Sequence, residues 1–105
     1  MGTRENKVET YLRDEIKKLN GDTRKWISPG RDGVPDQICF LPHSIFFVEV
    51  KTMDGKFQPG QEREHGRLRD LGAHVCTVWG HKGVDALVND LRLFNRPVEE
   101  CYGKS

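Results

Sequence analysis

Ile45-Phe46-Phe47-Val48-Glu49-Val50-Lys51 is the stretch on which the fold turns. β-Branched and aromatic residues run almost unbroken through it, the mark of a strand buried on both faces. Side chains two apart on a strand share a face. Glu49 and Lys51 are therefore expected side by side at the end of a central strand. Just upstream, Gln37-Ile38-Cys39-Phe40-Leu41 is a second apolar strand, opened by Asp36 and closed by Pro42-His43-Ser44. So short a connection predicts an antiparallel hairpin. In a hairpin the start of one strand lies beside the end of the other, so Asp36 is expected near Glu49 and Lys51.

Outward from the hairpin, Pro29 to Pro35 is a turn-rich stretch, and Arg24-Lys25-Trp26-Ile27-Ser28 before it is a short strand candidate. Arg4 to Asn20 reads as an amphipathic helix, with Val8, Leu12, Ile16 and Leu19 on one face and Gly21 as its stop. Downstream, Pro59 to Leu71 is expected to be a second helix ending at Gly72, and His74 to Trp79 a strand. Val84 to Leu93 is a third helix whose inner face is Val84, Leu87, Val88 and Leu91. The order predicts an α/β fold with a single central mixed sheet flanked by helices. We expect one domain over residues 1–94 and a loose tail over 95–105.

Composition narrows the function without naming it. A chain of 105 residues has room for one core. It carries 17 Lys and Arg against 16 Asp and Glu, a net charge of +1, so no overall basicity argues for nucleic acid. A charge-clustered surface remains compatible with that sum. No apolar run is long enough to span a membrane, and Met1 to Glu5 lacks a signal-peptide core, so no membrane association and a cytoplasmic protein are expected. Cys39, Cys76 and Cys101 are odd in number and form no CxxC cluster, which argues against a disulfide framework or structural zinc.

Glu-x-Lys alone is a weak signal, and a partly buried salt bridge explains it well. A turn aspartate bonding to local backbone likewise explains Asp36. Convergence of all three is harder to explain that way, because neighbouring carboxylates repel unless a cation or proton lies between them. Oxygen-only ligands favour Mg²⁺ or Mn²⁺ over zinc. Such a site suits phosphodiester hydrolysis, where a cation offsets the negative charge that repels an attacking water. Lys51 would orient the nucleophile and stabilise charge in the transition state.

At these residues the chain resembles the PD-(D/E)xK nucleases, with Asp36 followed after thirteen residues by Glu49-Val50-Lys51. The spellings Pro29-Gly30-Arg31-Asp32-Gly33-Val34-Pro35-Asp36, Phe47-Val48-Glu49-Val50-Lys51 and Gly55-Lys56-Phe57-Gln58-Pro59-Gly60-Gln61 resemble the VRR-NUC family, whose stand-alone members are typical of phages and bacteria. The resemblance implies a restriction-endonuclease-like αβββαβ core and a location in a bacterial or phage-infected cell. It implies Asp36, Glu49 and the Val50 carbonyl as metal ligands, Lys51 as catalytic lysine and Gln61 as a residue positioning water or phosphate. A first-helix glutamate completes the implied set; Glu9 fits best and Glu5 competes with it. The implied substrate is branched DNA, such as a flap or a four-way (Holliday) junction, cut by a homodimer. A non-catalytic nucleic-acid-binding or assembly module of the same fold is the competing reading.

Two positions depart from the family pattern. Gly60 is expected in the first turn of the second helix, at a cost of up to about 1 kcal/mol relative to Ala. Gln37 stands where a basic residue is common. His65 is read as a solvated helix residue, though it could face the cleft one turn beyond Gln61. His43, His74 and His81 share no ligand spacing. Arg63, Arg67 and Arg69 are most simply a solvated face, or DNA-backbone contacts if they border the cleft.

Overall fold

The computed structural model describes residues 4–104; Met1 to Thr3 of the N-terminal reading, and Ser105 of the expected tail, lie outside them. The elements run α1 (Arg4–Lys18), β1 (Asp22–Lys25), β2 (Gln37–Leu41), β3 (Ser44–Lys51), α2 (Gln61–Asp70), β4 (Val75–Trp79), α3 (Gly80–Phe94) and β5 (Cys101–Tyr102). The strands form one mixed sheet in the order β1-β2-β3-β4-β5. β1, β2 and β3 are antiparallel, while β3, β4 and β5 are parallel. The expected hairpin is present: Leu41 pairs with Ser44 around Pro42 and His43, and Gln37 pairs with Val48. Among the described residues no helix is long and apolar enough to cross a membrane.

The period-two alternation of β3 assigns its residues to two faces. Phe46, Val48 and Val50 are fully buried in a cluster with Val8, Leu12 and Ile16 of α1 and Val84, Leu87, Val88 and Leu91 of α3. Both helical stripes read from the sequence are thus the faces that cover the sheet. Cys39 and Cys76 join this cluster, and burial pushes both thiols far up, which suits their role as small hydrophobes. Phe47, Glu49 and Lys51 project to the opposite face.

Four expectations are corrected. β1 begins earlier and stops at Lys25, because its partner β2 starts at Gln37; Ile27, inside the expected strand, is 75% exposed. α2 starts at Gln61, with Gly60 as its N-cap at φ 85°. Nothing would crowd a Cβ at Gly60, but its left-handed backbone favours glycine, so the cost expected relative to Ala reverses sign. α3 begins at Gly80, directly after β4 and ahead of its apolar stripe.

The fourth correction concerns the tail. The described part of the tail, residues 95–104, does not trail loose: Cys101 and Tyr102 pair in parallel with Thr77 and Val78 as the fifth strand. Tyr102 is 5% exposed, and its hydroxyl donates to Asp90 at 2.6 Å and accepts from the Val98 and Glu99 amides at 3.0 Å each. One buried tyrosine with a satisfied hydroxyl anchors the segment, a feature too short to give a periodic signal.

Candidate active site

The hairpin register carries Asp36 to the position opposite Glu49, at the mouth of the sheet. The Pro29-to-Pro35 turn leads into it, and Arg31 ties that turn to α2 through Glu64 at 3.2 Å. Asp36 is fixed by the Val50 amide, which donates to its Oδ2 at 3.0 Å. A carbonyl is expected from Val50; what the structure gives is its N–H, which orients the aspartate.

Glu49 and Lys51 lie on one face, as their spacing requires. Both are buried, at 2% and 6% exposure. Lys51 Nζ lies 3.2 Å from Glu49 Oε2 and donates to Gln61 Oε1 at 2.8 Å. Gln61 closes the ring by donating its Nε2 to Glu49 Oε2 at 2.9 Å, and its Oε1 also accepts from the Gln58 amide at 2.7 Å. The glutamine therefore links the loop before α2 to both charged residues.

The N-terminal turns of α1 complete the arrangement. Carboxylate oxygens of Glu5, Glu9 and Asp36 all lie within 4.8 Å of one another. Both first-helix candidates therefore reach the site, rather than one displacing the other. Glu9 accepts from Gln37 Nε2 at 3.3 Å and faces Lys25 Nζ at 3.4 Å. Gln37, at the position where a basic residue is common, is buried and holds Glu9 of the acidic cluster.

The electrostatics are those of an under-compensated acidic site. Burial raises the Glu49 carboxyl well above the usual carboxylate range and the Asp36 charge adds to this, with Lys51 and Gln61 opposing. Burial likewise raises Glu5, followed by repulsion from Asp36 and Glu9. Glu49 Oε1 is buried and has no hydrogen-bond partner. An orphaned carboxylate oxygen is costly in a folded protein. Together with an all-oxygen donor set it fits a hard divalent cation.

Several residues are placed otherwise than the sequence suggested. His65 is 1% exposed, not solvated, and packs edge-on against Phe57 with ring centroids 5.9 Å apart. Neither ring nitrogen has a close partner, although the Gly33 backbone lies near enough to favour the protonated ring slightly. Arg69 is a structural residue, its Nε and a terminal nitrogen donating to the Val75 carbonyl at 3.2 and 3.0 Å. Arg67 faces Glu64 at 3.5 Å, while Arg63 is exposed beside the Phe57–Gly60 loop. His81 meets Tyr11 edge-on, and His43 and His74 are exposed. Sequence reasoning missed Glu64, a buried carboxylate that pins the turn before Asp36. A lone glutamate among helix charges carries no sign of its burial.

No protein-family model matches the sequence. A solved structure described as a VRR_NUC domain superposes with a TM-score of 0.78 at 41% identity, covering 84% of this chain and 97% of its own. The p44 protein of Acyrthosiphon pisum secondary endosymbiont phage 1, named there as a candidate nuclease, is 47% identical over 76 residues, or 71% of this chain and 82% of that protein. The chain belongs to the VRR-NUC family. Its mixed sheet and flanking helices are the VRR-NUC fold. The aligned structure spans nearly its whole length within this chain, so the likeness extends over most of the fold and is not confined to a motif.

Proposed function

We propose that this protein is a divalent-metal-dependent DNA endonuclease that hydrolyses phosphodiester bonds, with branched DNA such as a four-way junction as its preferred substrate. The observation that carries this reading is the buried ring of Glu49, Lys51 and Gln61 beside Asp36, with Glu49 Oε1 left without a partner. Asp36, Glu49 and Glu9 would hold Mg²⁺ or Mn²⁺ together with the Val50 carbonyl, and Glu5 is close enough to join them. The cation supplies Lewis-acid stabilisation of the phosphoryl oxygens. Lys51, fixed between Glu49 and Gln61, presents an ammonium that needs no rearrangement as charge develops on the phosphate. Gln61 holds that lysine in place and offers its amide to water or a phosphate oxygen. A low-dielectric floor beneath these groups strengthens each interaction.

Small size and the two-fold symmetry of a four-way junction support a homodimer. The phage relative supports action in the cytoplasm of a bacterial or phage-infected cell. The test uses end-labelled linear duplex, flap and four-way junction, each with Mg²⁺, Mn²⁺ or EDTA. Cleavage is expected only with metal, fastest on the junction, and lost in Asp36→Asn prepared identically. Light scattering is expected to give a dimeric mass. Well-folded protein that cuts no substrate with either metal would overturn the hydrolase in favour of a binding module.

A further inference from the structure

The chain's last described residues return to the site from the far edge of the sheet. Beyond β5, Gly103 has φ 79°, and a Cβ there would lie 2.6 Å from Gly83 Cα and 2.8 Å from the Trp79 carbonyl oxygen. Only glycine fits so close to two backbones, and the tight seat fixes the direction in which the next residue leaves. That residue is Lys104. Its ammonium stands 5.4 Å from the Trp79 ring centre and 5.8 Å from that of Phe57. Phe57 in turn has the Lys51 ammonium 5.8 Å from its centre and meets Trp79 edge-on at 5.5 Å. Trp79 donates its indole N–H to the Gly55 carbonyl at 2.8 Å, holding the loop that leads to Gln61. Two ammonium groups, one buried and one exposed, thus share a single aromatic ring.

We propose that Lys104 is a DNA-backbone contact, carried to the rim of the active site by β5 and steadied there by the Trp79 and Phe57 rings. The proposal rests on the reading of the protein as a nuclease. Lys51 is committed to Glu49 and Gln61, whereas Lys104 is exposed and forms no ion pair with a carboxylate among the described residues. Cation–π contact leaves an ammonium's charge intact, so it orients the lysine without neutralising it. A phosphate neighbouring the scissile one would meet a cation already in position.

The test compares wild type, Lys104→Met, Lys104→Arg and Gly103→Ala over a series of KCl concentrations. Junction cleavage is followed in Mg²⁺, and junction binding by fluorescence anisotropy in Ca²⁺. Lys104→Met is expected to weaken binding and raise KM by roughly 3–10-fold at low salt with kcat nearly unchanged, and to reduce the slope of log K against log salt by about 0.9. Lys104→Arg should retain the slope. Gly103→Ala should lower it as Lys104→Met does, although the lysine is still present. Unchanged slope and KM in Lys104→Met would overturn the proposal, as would a fall in kcat and melting temperature with the slope intact, which is the signature of packing alone. Wild-type protein that neither binds nor cuts DNA would overturn the nuclease reading and this proposal together. Wild-type cleavage with an unaffected Lys104→Met would overturn this proposal only.

Discussion

The two faces of one sheet obey different rules. Toward α1 and α3, β3 presents Phe46, Val48 and Val50, all fully buried among aliphatic residues. Toward α2 the same strand presents Glu49 and Lys51, and the neighbouring elements add Thr77, Glu64 and His65, each buried and each polar or charged. Among the described residues, the buried side-chain polar atoms without a partner are Glu49 Oε1, Thr77 Oγ1 and both His65 nitrogens. All of them lie on the α2 side. One face closes the fold by excluding water from apolar surface. The other keeps polar groups out of water with their hydrogen-bonding capacity incompletely used, a cost that marks a functional site better than any single motif does.

Substitutions on the two faces should therefore fail in different ways. On the apolar face, Phe46→Ala should cost about 3–5 kcal/mol in a urea unfolding titration, since a fully buried ring leaves a cavity. Cleavage per folded molecule should hardly change. Across the sheet, Lys51→Met should slow cleavage by about 10²–10³-fold, on the order of 3–4 kcal/mol in the barrier, while circular dichroism still reports a folded chain. Loss of the fold along with the activity would reduce the Glu49–Lys51 pair to a structural salt bridge and erase the contrast.

A pH titration sharpens the comparison. Burial, with the nearby Arg69 and Lys51 charges, lowers the His65 pKa to about 4 from an ordinary value of 6.5. The unfolded chain therefore binds a proton that the folded chain refuses between those values. Stability from this residue is complete above pH 6.5, declines as the pH falls, and levels off below pH 4. The decline should be about 3 kcal/mol. His65→Leu should remove it, as the difference between two urea titration series across this range; parallel curves for the two proteins would show that His65 does not titrate in this way. The smallest effect belongs to the turn that starts α2. Gly60→Ala should cost about 1 kcal/mol because of the positive φ, and a rise in melting temperature would show that the loop relaxes instead.

Periodicity and spacing made the central parts legible. Val8, Leu12 and Ile16 on α1, and Val84, Leu87, Val88 and Leu91 on α3, are buried as their spacing requires. The two-residue connection at Pro42-His43 sets the hairpin register, and the register alone brings Asp36 opposite Glu49. These are short-range consequences of strand pleat and turn length, so one chain contains enough information to state them.

Other features were decided only when distant segments met. Glu5 and Glu9 stand one helical turn apart, and the packing of α1 over the sheet brings both to Asp36. Burial of His65 and Glu64 follows from where α2 docks, and nothing in a charged helix sequence distinguishes them from solvated neighbours. Gly60 reads as a poor helix residue until its positive φ is known. Residues 101–104 have no pattern of their own; the Tyr102 hydroxyl, the Gly103 seat and the rings beneath Lys104 are supplied by α3, β4 and the loop before α2. The sequence by itself determined β2, β3 and β4, the three helices in outline and the Asp36–Glu49–Lys51 grouping, because neighbours along the chain set them. Only the tertiary structure decided which polar groups are buried and which cations reach the site, because burial and charge proximity belong to no single segment.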